Sequence, residues 1–200
     1  VFGQVDGQPG NGLGAYHYDG SHWTRVAGPS VQGGSALSDH DVWLGHQTSV
    51  GHWDGHAWRR TSLAALLPHG VGILGVLAES PADVYAVADV SYASMVVLRY
   101  DGRSWSKVAA GAFGVMAEQV APMAGDGRGG LWFIGNGSVP GSLLAHYSAG
   151  RLATFPATTA AGKAPLMFTI AQAGGEVLAG GYAQDSPFRP RTGLILRYAG

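Results

Sequence analysis

The stretch that decides the fold is DVWLGHQTSVGHWDGHAW, residues 41–58. It contains two short apolar segments, and an Asp-Gly pair, Asp54 and Gly55, separates the second segment from a further Trp. Apolar residues show no sustained helical spacing anywhere in the chain, while Gly and Pro interrupt it at intervals too short for helices. Asp-Gly is typical of a tight type I′ hairpin turn, and the aromatic residues beside it can pair across two strands. The stretch therefore predicts antiparallel strands.

The same signal returns at five places along the chain. In each copy an aromatic residue ends an apolar segment just before the turn, and these residues are Tyr18, Trp53, Tyr100, Tyr147 and Tyr198. Their mean spacing of about 45 residues is the size of one blade of a β-propeller. A full copy contains four short segments in chain order, three apolar ones, A to C, and a segment D in which polar residues alternate; together they predict one four-stranded antiparallel blade.

The copies divide the chain into five repeats, at approximately residues 1–26, 33–60, 73–108, 118–155 and 166–200. The first repeat lacks segment A and the last lacks segment D, so the sequence predicts 18 strands in one all-β domain or a fragment of one. Five closed four-stranded blades need about 20 strands. We therefore expect these residues to belong to a larger propeller of about six to eight blades.

The composition excludes several classes of protein. Only 12% of the residues are charged and 46% are apolar, which excludes a disordered tail. The net charge of −1 provides no basic surface for a nucleic acid. The most apolar stretch, residues 61–78, contains one Pro and three Gly, so we expect no insertion into a membrane. The first ten residues do not resemble a signal peptide.

Two segments that begin with an Asp, DVWLG at 41–45 and DVYAV at 83–87, are each followed by an aromatic-Asp-Gly turn and a Trp. This pattern resembles the repeats of β-propeller proteins secreted by high-GC Gram-positive bacteria, and ten Arg against two Lys fit such a genome. An apolar segment that ends in Gly180 and Gly181 is distantly similar to a kelch repeat. The resemblance implies a bacterial protein located outside the cell or on its surface.

The eight His residues could suggest a metal site, since four of them fall in one repeat. A single recurring position, just before the last aromatic of segment C, is occupied by His17, His52, Arg99, His146 and Arg197. Because this position accepts either His or Arg, we interpret it as a polar edge position and predict no metal site. The chain has no Cys, hence no thiolate ligand or cysteine nucleophile, and we expect no cofactor.

Two further features have a structural interpretation. The six Trp fall at recurring strand or hairpin positions, so we expect them to fill the space between blades. The segment GDGRGG, residues 125–130, lies where segment A turns into segment B, which favours a turn over a calcium or phosphate loop.

Length variation between the repeats concentrates in the B–C and D–A connections, which leave a blade at the same end. Rigid scaffolds carry recognition on such variable loops. The sequence therefore predicts that ligand-binding residues lie on this side, here called the B–C face. The candidates are His46, Asp89, Tyr92, Asn136, Tyr182, Gln184, Asp185, Phe188, Arg189 and Arg191.

These observations predict a non-enzymatic recognition module that binds a glycan or a protein through the B–C face. One alternative is a protein-interaction scaffold in a secreted assembly or a receptor ectodomain, which an exposed apolar patch around Tyr182 and Phe188 would favour. The other is a hydrolase or oxidase whose catalytic groups lie outside these residues. The chain contains no zinc-protease, nucleophile-elbow or phosphate-loop motif, so we predict no catalytic residue in it.

Overall fold

The computed structural model describes residues 2–5, 14–18, 20–26, 33–67, 72–89, 94–112, 122–136, 142–159, 162, 165–183 and 191–199. These residues form 18 strands in five antiparallel sheets, three of four strands and two of three. The predicted all-β propeller with four-stranded blades is confirmed, and so is the distribution of strands among the repeats. Among the described residues, no helix has the length and apolar character needed to cross a membrane.

The five sheets are named blades 1 to 5 in chain order. Blade 1 contains β1 (Phe2–Val5), β2 (Gly14–Tyr18) and β3 (Trp23–Val26). Blade 2 contains β4 (Gly33–Ser38), β5 (Asp41–His46), β6 (Ser49–Trp53) and β7 (Trp58–Ser62). Blade 3 contains β8 (Gly72–Ser80), β9 (Asp83–Asp89), β10 (Ser94–Tyr100) and β11 (Trp105–Ala112). Blade 4 contains β12 (Met123–Gly125), β13 (Leu131–Asn136), β14 (Ser142–Ser148) and β15 (Arg151–Pro156), and blade 5 contains β16 (Leu166–Ala173), β17 (Glu176–Ala183) and β18 (Thr192–Ala199).

Within each blade the strands pair in chain order, which makes every sheet a meander. The first strands of neighbouring four-stranded blades contact one another, β4 with β8 and β8 with β12, and β12 in turn contacts β16. These strands therefore lie on the inside of the arrangement. Because the strands are antiparallel, the A–B and C–D turns leave a blade at the end opposite to the B–C and D–A connections. The end with the A–B and C–D turns is called the A–B face below.

The core lies between blades rather than inside one sheet. Strand β9 shows this most clearly, because all of its residues after the first are buried. Val84, Ala86 and Ala88 pack toward blade 2, whereas Tyr85 and Val87 pack toward Phe133 and its neighbours in blade 4. Alternate residues of one strand thus fill two different interfaces, which is why both faces of the central blades are apolar in sequence.

The hairpin turns differ from the predicted type I′ geometry. Trp53 pairs with Trp58, so four residues separate the strands, and of the Asp-Gly pair only Gly55 has a positive φ, +88°. The Asp54 side chain holds this turn, since Oδ1 accepts hydrogen bonds from the amides of His56, at 3.0 Å, and Ala57, at 2.9 Å. The type I′ prediction was therefore wrong for this copy, because the carboxylate stabilises a longer turn.

A two-residue turn with both φ values positive does occur in blade 4. Ser148 pairs with Arg151, and Ala149 and Gly150 have φ values of 49° and 77°. This is the backbone of a type I′ turn. It is found in a repeat that lacks the Asp, where no carboxylate is present to hold the longer turn.

The aromatic pairs across the hairpins are confirmed. The ring centroids of Trp53 and Trp58 lie 5.8 Å apart, and those of Tyr100 and Trp105 lie 5.6 Å apart. Trp43 and Trp132 are buried between blades as expected. Trp23 is not: it packs on Tyr18 but remains 55% exposed, and the described residues place no blade against it.

Candidate functional site

One cross-strand pair recurs at the same register in all five blades. A large apolar or aromatic residue of the second segment, B, pairs in register with the His or Arg of the third, C. The pairs are Phe2 with His17, Trp43 with His52, Tyr85 with Arg99, Trp132 with His146, and Leu178 with Arg197. These positions lie next to the A–B face, since segment B begins there and segment C ends there.

A carboxylate completes this arrangement in blade 2. His52 Nε2 lies 2.9 Å from Asp41 Oδ1, and the indole Nε1 of Trp43 donates a hydrogen bond of 2.7 Å to the same oxygen. The Trp43 and His52 rings stack with centroids 3.9 Å apart. Asp41 thus holds both rings in place through hydrogen bonds.

Blades 3 and 5 also place a carboxylate beside the residue at this position. In blade 3 the Arg99 Nε donates to Asp83 Oδ1 at 2.7 Å, and in blade 5 Arg197 pairs with Glu176. In blades 2, 3 and 5 the His or Arg of this position therefore has a carboxylate partner. Among the described residues, no three His, Asp or Glu side chains are grouped so that they could hold a metal ion.

Blade 4 obtains its carboxylate from elsewhere in the sequence. The register places Gly130 where blade 2 has Asp41, because Leu131 pairs with Tyr147 as Val42 pairs with Trp53. The missing carboxylate is supplied by Asp126, whose Oδ2 lies 2.9 Å from His146 Nε2. A Cβ on Gly130 would lie 2.4 Å from that same Oδ2. The glycine therefore leaves the space that the Asp126 side chain occupies.

Within the segment 125–130, residues 126–130 form the expected turn between β12 and β13, and Asp126 is the residue that organises it. Asp126 Oδ1 accepts hydrogen bonds from the amides of Arg128, at 2.7 Å, and Gly130, at 2.8 Å. Burial by itself would raise the pKa of the Asp126 carboxyl, but the bonds from His146 and from these two amides outweigh it, so the pKa lies below its ordinary value. Asp126 is therefore an anion whose oxygens are already engaged.

A polar cavity of about 320 Å³ opens beside this turn, between blades 4 and 5. It is lined chiefly by Asp126, Arg128, Trp132, His146, Gln172 and Tyr198. Blade 4 contributes the first four of these side chains, and blade 5 contributes Gln172 and Tyr198. The exposed side chain of Arg128 comes from the turn itself. The site combines hydrogen-bonding groups with aromatic walls, as small-ligand sites do.

The aromatic wall consists of Trp132 and Tyr198, whose ring centroids lie 5.0 Å apart. His146 stacks on the other side of Trp132, with centroids 4.0 Å apart and an interplanar angle of 4°. The corresponding Trp43 is contacted by both Tyr100 and Trp105 of the next blade. Trp132 is contacted by Tyr198, which corresponds to Tyr100, and it lines the polar cavity.

Those residues predicted to bind ligand that the structure describes lie on the opposite side of the blades. His46 is half-buried at the end of β5, Asn136 ends β13, and Tyr182 lies near the end of β17. Asp89 was expected in an exposed loop; it is instead the last residue of β9 and is fully buried, because blade 3 is packed on both faces. The predicted residues Tyr92, Gln184, Asp185, Phe188 and Arg189 lie outside the described residues.

Two of the predicted residues do come together on the B–C face. The Arg191 guanidinium lies 4.6 Å from the centre of the Tyr182 ring, and Phe168 stacks on the same ring with centroids 5.4 Å apart. Phe168 is 46% exposed. This group, called the Tyr182 cluster below, is an exposed aromatic and cationic surface separate from the polar cavity.

Sequence analysis missed the residues of the polar cavity. The signal was present in segment 125–130, where blade 4 has a longer A–B connection than the other blades and carries its Asp four residues early. The segment was interpreted as a turn, which is correct. Its relation to His146 and Tyr198 was not recognised, because these side chains meet only through strand pairing and blade packing.

Comparison of the sequence with protein-family models and with curated proteins finds no match. Comparison with solved structures finds β-propeller proteins of low sequence identity. A structure described as YCF48 bound to D1 peptide is 15% identical, with a TM-score of 0.58, over 92% of this chain and 60% of that one. The SapL1 lectin in complex with alpha methyl fucoside is 12% identical, with a TM-score of 0.57, over 92% of this chain and 70% of that one.

A mutant of the Aleuria aurantia lectin in complex with Fucα1-6GlcNAc is 17% identical, with a TM-score of 0.56. The match covers 96% of this chain and 71% of that lectin. This chain therefore spans between 60% and 71% of the length of these three proteins. At such identities the similarity shows the fold: this chain is a series of β-propeller blades.

Proposed function

We propose that this chain is a recognition module that binds a glycan in the polar cavity between blades 4 and 5. The observation that carries the proposal is the composition of that cavity, in which the Arg128 guanidinium and the Gln172 amide lie near the aromatic rings of Trp132 and Tyr198. A sugar ring presents hydroxyl groups at its edges and C–H groups on its faces. Polar side chains can bind the former, and aromatic rings can pack against the latter.

The fixed charge of Asp126 supports this proposal. Both of its oxygens already accept hydrogen bonds from within blade 4, so it positions the turn and the His146 ring. The cavity is therefore organised before a ligand enters, which lowers the entropy cost of binding. Two of the three structural neighbours also support it, since they are lectins solved with fucosides.

The proposal is tested first with a glycan array and then by titration calorimetry with methyl α-fucoside or the array's best ligand. Arg128→Ala should weaken binding by about tenfold or more, because it removes a charge-assisted hydrogen bond. Arg103→Ala is the matched control, since Arg103 is also an exposed Arg in a turn of the A–B face but does not line the cavity. An equal loss in both variants, or no binding by the folded protein, would contradict the proposal.

A protein partner at the Tyr182 cluster is the second candidate function. The exposed Phe168 ring and the half-buried Tyr182 ring, with Arg191 beside them, form the kind of apolar and cationic surface that protein interfaces favour. One structural neighbour was solved with a bound peptide. This candidate takes precedence if the folded protein binds no glycan on the array. For either function we propose a location outside the cytoplasm, as the sequence resemblance implies.

A further inference from the structure

The large residue of segment B is a tyrosine in blade 3, Tyr85, whereas blades 2 and 4 have Trp43 and Trp132 at the same register position. The Tyr85 side chain is fully buried between blades 3 and 4. Its hydroxyl crosses this interface and donates a hydrogen bond of 2.8 Å to the Gly129 carbonyl oxygen of blade 4. Burial and the nearby Asp83 carboxylate raise the pKa of Tyr85 to about 12, so the hydroxyl keeps its proton and remains a donor.

Gly129 belongs to the A–B turn of blade 4, which is longer than the others. Five residues separate the two strands there, whereas two residues separate them in blades 2, 3 and 5. The φ of Gly129 is +81°, a value that glycine adopts without strain. The peptide group between Gly129 and Gly130 is hydrogen-bonded at both ends, since its N–H donates to Asp126 Oδ1 and its carbonyl accepts from Tyr85. Blade 4 therefore holds this turn from one side and blade 3 holds it from the other.

We infer that Tyr85 is a positioning residue for the neighbouring blade: its hydroxyl fixes the peptide group that closes the Asp126 turn, and thereby the position of the exposed Arg128. Two hydrogen bonds at opposite ends of one peptide group strengthen each other, so loss of the Tyr85 bond should also weaken the bonds to Asp126. The consequence for a ligand rests on the proposed function, since Arg128 lines the polar cavity. The position of the turn itself depends on no ligand.

The experiment measures amide hydrogen exchange by NMR in the unmodified protein and in Tyr85→Phe, which removes the hydroxyl and keeps the ring. The amides of Arg128 and Gly130 should exchange about threefold to tenfold faster in the variant, because one hydrogen bond fewer favours local opening of the turn by about that factor. The amides of His56 and Ala57 donate to a carboxylate in the same way in blade 2, where Tyr85 does not contribute. Their exchange should stay unchanged, which separates a local effect from a general loss of stability.

Tyr147→Phe is the matched control, because Tyr147 packs in the same apolar cluster as Tyr85 but, among the described residues, its hydroxyl makes no hydrogen bond to this turn. It should leave the exchange of all four amides within about twofold. Unchanged exchange at Arg128 and Gly130 in Tyr85→Phe would overturn the inference. An equal increase in the turns of blades 2 and 4 would also overturn it.

A measurement on the unmodified protein tests the same inference without a variant. The Arg128 and Arg103 amides each donate to the carboxylate of an Asp two residues earlier, at 2.7 and 2.9 Å, and both bonds are exposed. The Arg128 amide should exchange at least about threefold more slowly, because Tyr85 holds its turn from a second blade. Equal rates or the reverse order would overturn the inference. Since neither measurement uses a ligand, this inference can fail while the proposed function stands, and the proposed function can fail while this inference stands.

Discussion

At the scale of single residues, Gly130 and Asp126 show how a side chain can be replaced by a residue from another position. Blade 2 carries its carboxylate on the strand, as Asp41, whereas blade 4 has a glycine there and brings Asp126 in from the turn. The two carboxylates make the same bond to a His of the neighbouring strand, at 2.9 Å in both blades. The carboxylate position is therefore kept, although the residue that supplies it is not.

Gly130→Ala should destabilise the protein by about 1–3 kcal/mol, as overpacking of a close contact usually does. The new Cβ would lie 2.4 Å from both Asp126 Oδ2 and the Tyr147 carbonyl oxygen, and the carbonyl belongs to a strand that cannot move freely. Gly193→Ala in β18 is the control, since a Cβ there meets no atom within 4 Å. Urea denaturation measures the free energy of unfolding of both variants. Equal values would show that the Asp126 turn can shift to accommodate the new Cβ without loss of stability.

At the scale of elements, the Asp-Gly hairpins depend on a side chain as much as on glycine. Asp54 and Asp101 each accept two backbone amide bonds in their turns, at distances of 2.8–3.0 Å. The Ala57 and His56 amides, together with Arg59, lower the pKa of Asp54 from 3.8 to about 2, and the Ser104 and Arg103 amides lower the pKa of Asp101. In both turns the folded protein prefers the carboxylate over the acid.

This preference predicts an acid-sensitive contribution to stability. A carboxyl whose pKa is lower in the folded state stabilises the protein above its unfolded pKa and loses that contribution as the pH falls through the folded value. Asp54→Ala should therefore be less stable than the unmodified protein at neutral pH, and the difference should shrink between about pH 4 and pH 2. Urea denaturation over this range tests it. A difference that does not change with pH would mean that the carboxylate charge contributes nothing.

At the scale of the whole molecule, stability comes from the interfaces between blades. Each of the three interfaces among blades 2 to 5 is an apolar cluster built from the facing sides of two sheets. The cluster between blades 3 and 4 contains Phe133, Leu131 and Met95, all of which are 0% exposed. A single blade could not bury these side chains. The blades therefore depend on one another, as the units of repeat proteins do.

Phe133→Ala should cost about 3–5 kcal/mol of unfolding free energy, because it leaves a cavity that two packed sheets cannot close. The control is Phe168→Ala, which removes the same ring from an exposed position in blade 5 and should cost far less. Thermal and urea denaturation provide both values. Similar losses for the two variants would contradict the view that the core lies between blades 3 and 4.

The sequence by itself determined the strands, their grouping into repeats and the apolar character of both blade faces. These follow from local signals: the alternation within a strand, the residues of the turns and the spacing of the aromatic residues. It also determined that the His and Arg before each aromatic share one structural position. The hairpin geometry was less predictable, because the Asp54 side chain competes with the backbone for the same amides.

Only the tertiary structure decided the position of the polar cavity, which we propose as the ligand site. The polar cavity requires the Asp126 turn to fold back on His146, and it requires blade 5 to bring Gln172 and Tyr198 against blade 4. Residues adjacent in sequence determine neither contact. The contact between Asp126 and His146 depends on strand register, and the contact of Gln172 and Tyr198 with blade 4 depends on packing between sheets. For the same reason Asp89 was expected at the surface and is buried, since only the packing of blade 3 between its neighbours covers it.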